Sequence, residues 1–447
     1  MHTSLFIPRK HAIVLGGSLS GLLAARVLGE HYEQVTIIEK DTVHRAPEAR
    51  KGQPQTRHLH GLLPGGLQIL SGYFPGLLNE MSSHGVKVLD FAHSMKWYCY
   101  GGFRKSFTIG IDGVIVTRPL LEHIIRERVL ALSNIHLLDQ TAATQLLATD
   151  DRQSITGVMA EQKPAGQTTQ LSADLVVDTT GRGSRTPQWL KELGYGEVGV
   201  SEVRVNVGYT SRMYKRDPQD VRGESWIICT PDAPAEKRFG AAFPIEGQRW
   251  MVTVGGWHGD HAPTEQEAYL AFVRSLPNPH LFDIVSKNEP VSEFVQYKFP
   301  FSQRRHYEKL RRFPSGLLVL GDAISSFNPI YGQGMSSAAL QVDVLDKVLR
   351  ENTPNNLLAN VFFSRSKKVV DVIWSLATGE DFRYPQTTGA RPPGIRLINR
   401  YVASVHRATL RDEVVCGAFL KVMSLLKPPT SLFHPQILWR VLQSKSL

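Results

Sequence analysis

The sequence is poor in cysteine, with three in 447 residues: Cys99, Cys229 and Cys416. The count is odd, the residues lie far apart and no CxxC occurs. A disulfide framework and a cysteine zinc site are therefore excluded, and a reducing compartment fits. Long apolar runs are also missing. The best window, Ala12 to Leu28, is broken by Arg26 and by glycines, whereas a membrane-spanning helix needs about 18 or more apolar residues in succession. The opening MHTSLFIPRK has neither the apolar core nor the cleavage site of a secretory signal. A cytoplasmic protein is expected. No GxSxG and no HExxH is present, which removes the serine-hydrolase and zinc-protease templates.

Acidic residues are the minority sign, 41 against 51 Lys+Arg, for a net charge of +10. The densest basic clusters are only pairs (Arg304-Arg305, Arg311-Arg312, Lys367-Lys368), too short for a nucleic-acid-binding arm. Nucleic acid is not an expected partner. Repeats and low-complexity tracts are absent. What is present is 42% hydrophobic and 21% charged residues, enough for a packed core. At about 100–200 residues per domain, the length allows two or three structural units.

The first informative segment is His11-Ala-Ile-Val-Leu15, an apolar run suited to a buried parallel strand. It enters Gly16-Gly17-Ser18-Leu19-Ser20-Gly21 and then an amphipathic stretch to Leu28. A second strand, Val35–Ile38, ends at Glu39-Lys40. This is a dinucleotide-binding layout. Glycines bring backbone N–H groups and a helix start to a pyrophosphate, and the acid at the second strand accepts ribose hydroxyls. Gly16, Gly17, Ser18, Gly21, Glu39 and Lys40 are the candidate contacts. Ser18 departs from the all-glycine fingerprint: its Cβ narrows the approach, and its hydroxyl offers a hydrogen bond in return.

A second buried strand precedes Gly321-Asp322-Ala323, followed by Pro329, Gly332, Gln333, Gly334 and Met335 and a helix over Ser336–Leu349. The strand carries Asp322 to the carboxyl edge of the sheet, and the glycines let a loop pass close to a flat ligand. This GDA-x5-P-x2-GQGM run resembles the second FAD motif of the flavoprotein monooxygenases related to para-hydroxybenzoate hydroxylase and squalene epoxidase. The resemblance implies that Asp322 binds the ribityl chain and that Pro329 with Gly332–Met335 flanks the isoalloxazine.

Three further segments carry the likeness. Ala173–Arg185 is similar to the family's strand and turn with an Asp-Gly pair, although Thr179 follows Asp178 here and Gly181 is displaced. Val116–Glu122 matches a helix start in which Pro119 suits the first turn, and the resemblance implies that Arg118 contacts FAD. Gly52–Leu63 resembles the corresponding segment of polyether-type epoxidases. It contains Arg57, His58 and His60, and on an extended backbone both histidines face one side. Arg57 and His60 are the candidate catalytic residues. A metal site is not expected, since the pair has no further ligands beside it.

The middle of the chain alternates. Val203–Tyr209, Phe239–Phe243, Arg249–Val254 and Val291–Phe299 read as strands of an antiparallel sheet that roofs a cavity. Trp97–Phe103 is either a cavity lining or a strand filling its own core. Helices are expected over Gln341–Arg350, Asn360–Leu376, Arg396–Lys427 and onward from Pro435, with Pro428-Pro429 as a break.

The expected fold is α/β: a Rossmann-type FAD-binding domain with an inserted antiparallel β-sheet substrate domain and a C-terminal helical region. The flavin domain is divided into residues 1–85, 118–200 and 301–350; residues 86–117 and 201–300 form the substrate domain, and 351–447 the helical region.

The resemblance implies a monooxygenase. FAD, reduced by NAD(P)H directly or through a flavin reductase, would form a C4a-hydroperoxide and transfer one oxygen atom to an apolar secondary metabolite. Epoxidation of a terpenoid or polyketide alkene is the first expectation. Aromatic hydroxylation and a geranylgeranyl-reductase-like reaction are the alternatives on this scaffold, and a non-catalytic flavoprotein is the alternative of another class. The apolar stretch Val414–Leu426 leaves peripheral membrane contact open beside its role as a helical cap.

Overall fold

The structure is a computed structural model that describes residues 9–50 and 53–444. Its base is a five-stranded parallel sheet in the order Leu317–Val319, Leu175–Asp178, His11–Leu15, Gln34–Ile38 and Ile135–Leu138. These runs are apolar on both faces because both faces are covered. Ile13, Val14, Val176 and Val177 are fully buried. The Leu19–Leu28 helix packs on one side against the Gly334–Arg350 helix. The two dinucleotide-motif segments are thus neighbours although some 300 residues apart in sequence.

An antiparallel three-stranded sheet (Thr141–Ala148, Ile155–Gln162, Gln167–Ser172) flanks this base. The larger sheet has nine strands. Val200–Lys215 lies at its middle, paired with Val295–Arg305 on one side and Arg249–Gly256 on the other. Arg238–Ile245, Trp226–Cys229, Met95–Cys99 and Gly102–Phe103 continue it outward. Its alternating side chains, read from sequence as one face roofing a cavity, place Phe239, Phe243 and Thr253 toward that cavity.

Of residues 86–117, Val88–Asp90 and Asp112–Val114 pair with each other as a separate two-stranded ribbon. Only Met95–Cys99 and Gly102–Phe103 reach the sheet. The expected helix Arg396–Lys427 is two helices, Ile395–Ala408 and Glu413–Met423. Asp412 starts the second one, its Oδ1 accepting the Val414 N–H at 2.8 Å and the Val415 N–H at 3.0 Å. A side-chain oxygen that satisfies free N–H groups favours a new start over continuation.

The helix expected over Asn360–Leu376 runs longer, Asn355–Asp381, through Gly379. That extra turn carries Glu380 and Asp381 to the centre of the molecule. The C-terminal helices close over the outer end of the large sheet, where Phe419, Leu420 and Val405 form one apolar cluster with Phe91, Trp226 and Phe243. Burying each such side chain stabilises by about 1.5–3 kcal/mol. Among the described residues, no helix is long and apolar enough to cross a membrane.

Candidate active site

A cavity of about 960 Å³ runs from the Gly16 turn, past Asp322, into the space between the large sheet and the C-terminal helices. At its first end Gly16 adopts φ +99°, and its N–H donates to the Ile38 carbonyl at 2.8 Å. A Cβ on Gly21 would lie 1.8 Å from the Gly16 oxygen, so only glycine lets helix and strand pack this closely. Glu39 is buried. Its Oε2 accepts the Gly17 N–H at 2.8 Å, and its Oε1 accepts the Asp41 N–H at 3.0 Å. Lys40 is exposed and lines the same end.

Ser18 is engaged as a donor within the protein itself. It gives its proton to Glu122 Oε1 at 2.6 Å, which also accepts the Leu19 N–H at 3.1 Å and Arg118 Nε at 2.7 Å. Arg50 joins Glu39 at 3.1 Å to Glu122 at 3.4 Å. Burial disfavours the Glu122 carboxylate, but Arg118, the Ser18 hydroxyl and Arg50 outweigh it and hold the group at about 2. Arg118 is therefore fixed at the rim of the glycine turn by a carboxylate four residues on. Sequence reading named Arg118 and missed Glu122 and Arg50; the i,i+4 spacing on a helix was the available signal.

At the middle of the cavity the strand Leu317–Val319 delivers Asp322, whose side chain faces the open space. The surrounding protein raises its carboxyl above the ordinary value, against the opposing pull of Arg118 and Arg182. The turn Pro329–Tyr331 leads to Gly332 at φ +66° and to the start of the Gly334–Arg350 helix. A Cβ on Gly334 would meet no protein atom within 4 Å. Gln333 is buried with neither end of its amide satisfied, and Met335 is buried beside it. Glycines bordering open space and a helix start together fit a flat, polar-edged ring system, while Gln333 itself does not line the cavity. With the glycine turn and Glu39 at the other end, the residues fit FAD.

The segment after Leu175–Asp178 is held by hydrogen bonds to Asp178 and to the Gly16 turn. Asp178 is fully buried and accepts from Thr180 N–H at 2.8 Å and from the Thr180 and Thr186 hydroxyls, both at 2.6 Å. Thr179 donates to the Leu15 carbonyl at 2.7 Å, tying this turn to the Gly16 turn. Arg182 lines the cavity with its guanidinium over Phe299 and donates to Ser326 Oγ at 2.7 Å.

Arg57 and the two histidines separate. Pro54–Arg57 is a short 3₁₀ turn rather than extended chain, so Arg57 is exposed and does not line the cavity. His58 is buried against Tyr209, its Nδ1 2.8 Å from Ser211 Oγ. His60 alone faces the cavity. Its Nδ1 donates to the His58 carbonyl at 2.9 Å, which leaves Nε2 as an acceptor. Burial and Arg118 push His60 down to about 4, so it is neutral at pH 7. Among the described residues, no group of three or more His, Cys, Asp or Glu side chains could hold a metal ion.

The remaining wall is apolar and aromatic: Phe91, Met95, Trp97, Ile115, Trp226 and Met423 are among its residues. Trp97 and Tyr100 line the cavity, while Phe103 is exposed. One polar corner interrupts this wall, made by Tyr100, Glu380, Arg383 and His406. No motif announced it.

No family model matches the chain. It is 31% identical over 439 residues to Protein Rv3254 of Mycobacterium tuberculosis, covering 94% of this chain and 90% of that one. It is 24% identical over 409 residues to kynurenine 3-monooxygenase of Salinispora tropica, 84% and 81% of the two chains. With 3-demethoxyubiquinol 3-hydroxylase of Escherichia coli the identity is 25% over 363 residues, 76% and 80% of the two chains. Among solved structures, a flavoprotein/dehydrogenase of Cytophaga hutchinsonii superposes with a TM-score of 0.70 at 14% identity, over 98% of both chains. PqsL, a probable FAD-dependent monooxygenase from Pseudomonas aeruginosa, gives 0.63 at 18%, over 84% of this chain and 98% of that one. These structural likenesses support the expected arrangement of parallel sheet, antiparallel sheet and C-terminal helices.

Proposed function

Since the chain belongs to the FAD-dependent monooxygenase family, we propose that it inserts one oxygen atom from O2 into an apolar secondary metabolite. The observation that carries this reading is continuity: one cavity joins the glycine turn, the Asp322 and Gly332–Met335 ring site, and an aromatic chamber. Bound FAD supplies the activation of dioxygen. The chain's own residues do the rest. Gly16–Gly21, Glu39 and Arg118 hold the dinucleotide, Asp322 and the Pro329–Met335 loop set the ring, and the aromatic walls orient the substrate and exclude water.

Epoxidation of a terpenoid or polyketide alkene is the finer reading, supported by the likeness of Gly52–Leu63 to polyether-type epoxidases. It also suits the side chains available. Neutral His60, pushed down to about 4, is a weak base, and alkene epoxidation needs none, whereas phenol hydroxylation gains from one. Hydroxylation of an aromatic ring is the second reading, supported by the names of the two hydroxylating relatives at 24–25% identity. Electrons come from NAD(P)H, the donor typical of the family, directly or through a flavin reductase. NADPH added to the purified protein alone bleaches the flavin in the first case and leaves it yellow in the second.

The test is turnover under isotopically labelled dioxygen with parallel panels of alkenes and phenols. One labelled oxygen atom in the product supports the reading, and its position separates epoxide from phenol. Reduced flavin that reoxidises without labelling any substrate, under either electron supply, would overturn it.

Peripheral membrane contact, left open for Val414–Leu426, would fall to other residues, because Val415, Cys416, Phe419, Leu420 and Val422 are buried. Leu397, Trp439 and Leu442 are 71%, 61% and 60% exposed, and Arg396 and Arg400 are exposed on the helix that carries Leu397. Apolar side chains beside basic ones suit peripheral contact with an anionic membrane.

A further inference from the structure

The polar corner of the aromatic chamber has a definite chemical sense. Glu380 lies on the last turn of the Asn355–Asp381 helix, Arg383 just beyond it, and His406 on the Ile395–Ala408 helix. Arg383 Nη1 donates to Glu380 Oε2 at 2.9 Å. Its Nη2 donates to the Ala233 carbonyl at 3.1 Å and to the Tyr100 hydroxyl. Arg104, held between the rings of Trp97 and Phe419, donates to His406 Nδ1 at 2.7 Å. His406 therefore keeps its proton on Nε2, which points at Glu380 Oε1 from 3.5 Å.

The Arg383 guanidinium, the Arg104 guanidinium and the His406 Nε2–H are thus turned inward and used. The acceptor is not. Glu380 keeps 25% of its side chain accessible, against 6% for Arg383 and 9% for His406. Burial resists its ionisation, but Arg383 and His406 hold it below the usual carboxylate range, so it remains charged. A carboxylate offers about four lone-pair positions, and one strong and one long hydrogen bond leave room for a ligand. In a chamber lined mainly by apolar and aromatic groups, an accessible charged acceptor selects among ligands.

We propose that Glu380 anchors a hydrogen-bond-donating group, a hydroxyl or an ammonium, on an otherwise apolar substrate. The inference rests on the reading of this chamber as the substrate site and narrows the substrate class. A ligand whose polar group is a carboxylate gains no hydrogen bond from ionised Glu380. Arg383 and His406 act as positioning residues that keep Glu380 ionised and oriented.

The test measures binding to the oxidised, FAD-loaded protein without reductant, by equilibrium dialysis. Four probes share one skeleton: naphthalene, 2-naphthol, 2-naphthylmethylammonium and 2-naphthoate. The expected result is that the alcohol and the ammonium each bind about tenfold or more tightly than naphthalene, and the carboxylate most weakly. Preference for the alcohol alone assigns the donor as a hydroxyl, and for the ammonium alone as a cation; either supports the proposal.

Glu380→Gln should abolish the ammonium preference while retaining part of the alcohol preference, and Glu380→Ala should remove both. If the variants do not fold, the four affinities of the unmodified protein still decide. Equal affinities, tightest binding of the carboxylate, or no binding of any probe would overturn the proposal. Because no turnover is involved, a failed oxygenation assay leaves this result standing, and flat affinities in an enzyme that oxygenates alkenes sink this inference alone.

Discussion

Asp381 Oδ1 accepts the Tyr331 hydroxyl at 2.8 Å, joining the end of a long helix to the turn that precedes Gly332. The same oxygen accepts from Asn328 Nδ2 at 2.9 Å and Trp257 Nε1 at 3.1 Å, while Oδ2 has no partner. Three cavity-lining side chains from two segments therefore converge on one buried carboxyl. Burial pushes that carboxyl up to about 6; its three donors pull the other way, and neighbouring Glu380 adds to the rise.

A group raised in the folded state stabilises it fully below the unfolded value and loses that contribution as pH rises through the folded one. Wild-type protein should accordingly lose on the order of 2–3 kcal/mol between about pH 4 and pH 6 on account of Asp381. Asp381→Asn removes this titration. The difference between variant and wild-type unfolding free energies should rise over that window and be flat above it. A pH-independent difference would refute the assignment.

Glu122 behaves in the opposite sense. Held at about 2 instead of the ordinary 4.5, it contributes above its unfolded value, and the contribution is lost as pH falls through the folded one. Glu122→Gln should lower stability at pH 7 by about 3 kcal/mol, since Arg118 is left without its charged partner. Denaturant unfolding at pH 7 and pH 3 measures both effects, and the gap between the two proteins should be narrower at pH 3.

Two glycines separate packing from ligand contact. Gly21→Ala forces a Cβ against the Gly16 oxygen and should cost more than about 2 kcal/mol in the flavin-free protein. Gly334→Ala meets no protein atom within 4 Å. It should leave the flavin-free melting temperature unchanged while FAD affinity falls about tenfold or more. Asp322→Ala should behave like Gly334→Ala. FAD retention by both variants at the wild-type level would remove the Pro329–Met335 loop from the cofactor site.

The double substitution Leu397→Glu and Leu442→Glu places charges on the exposed apolar positions of the last helices. Co-sedimentation with phosphatidylglycerol vesicles should fall several-fold relative to wild type, with FAD content unchanged. Equal sedimentation of the two proteins would discard peripheral membrane contact through these residues.

The dinucleotide unit was readable along the chain because its signals are local. His11–Leu15, the glycine turn and Glu39 follow one another, and each has a backbone reason to be where it is. The histidines were harder. Alternation on an extended segment should have put His58 and His60 on one side, but His58 is buried against Tyr209 and Ser211 and, of the two, only His60 lines the cavity. The boundary between the helices Ile395–Ala408 and Glu413–Met423 was hidden because Asp412 looks like any surface acid until its cap is seen.

The amino-acid sequence by itself determined the cofactor class and the expectation of a parallel sheet beside an antiparallel one. Short-range hydrogen bonding and strand periodicity act over a few residues and leave a pattern in the letters. Only the tertiary structure decided what the substrate end looks like. Glu380, Arg383, His406 and Tyr100 come from three separate segments, and their charges take on meaning through burial and mutual distance. The same holds for Glu122 and Asp381, one pushed down and the other up by surroundings that no neighbouring residue in the chain reveals.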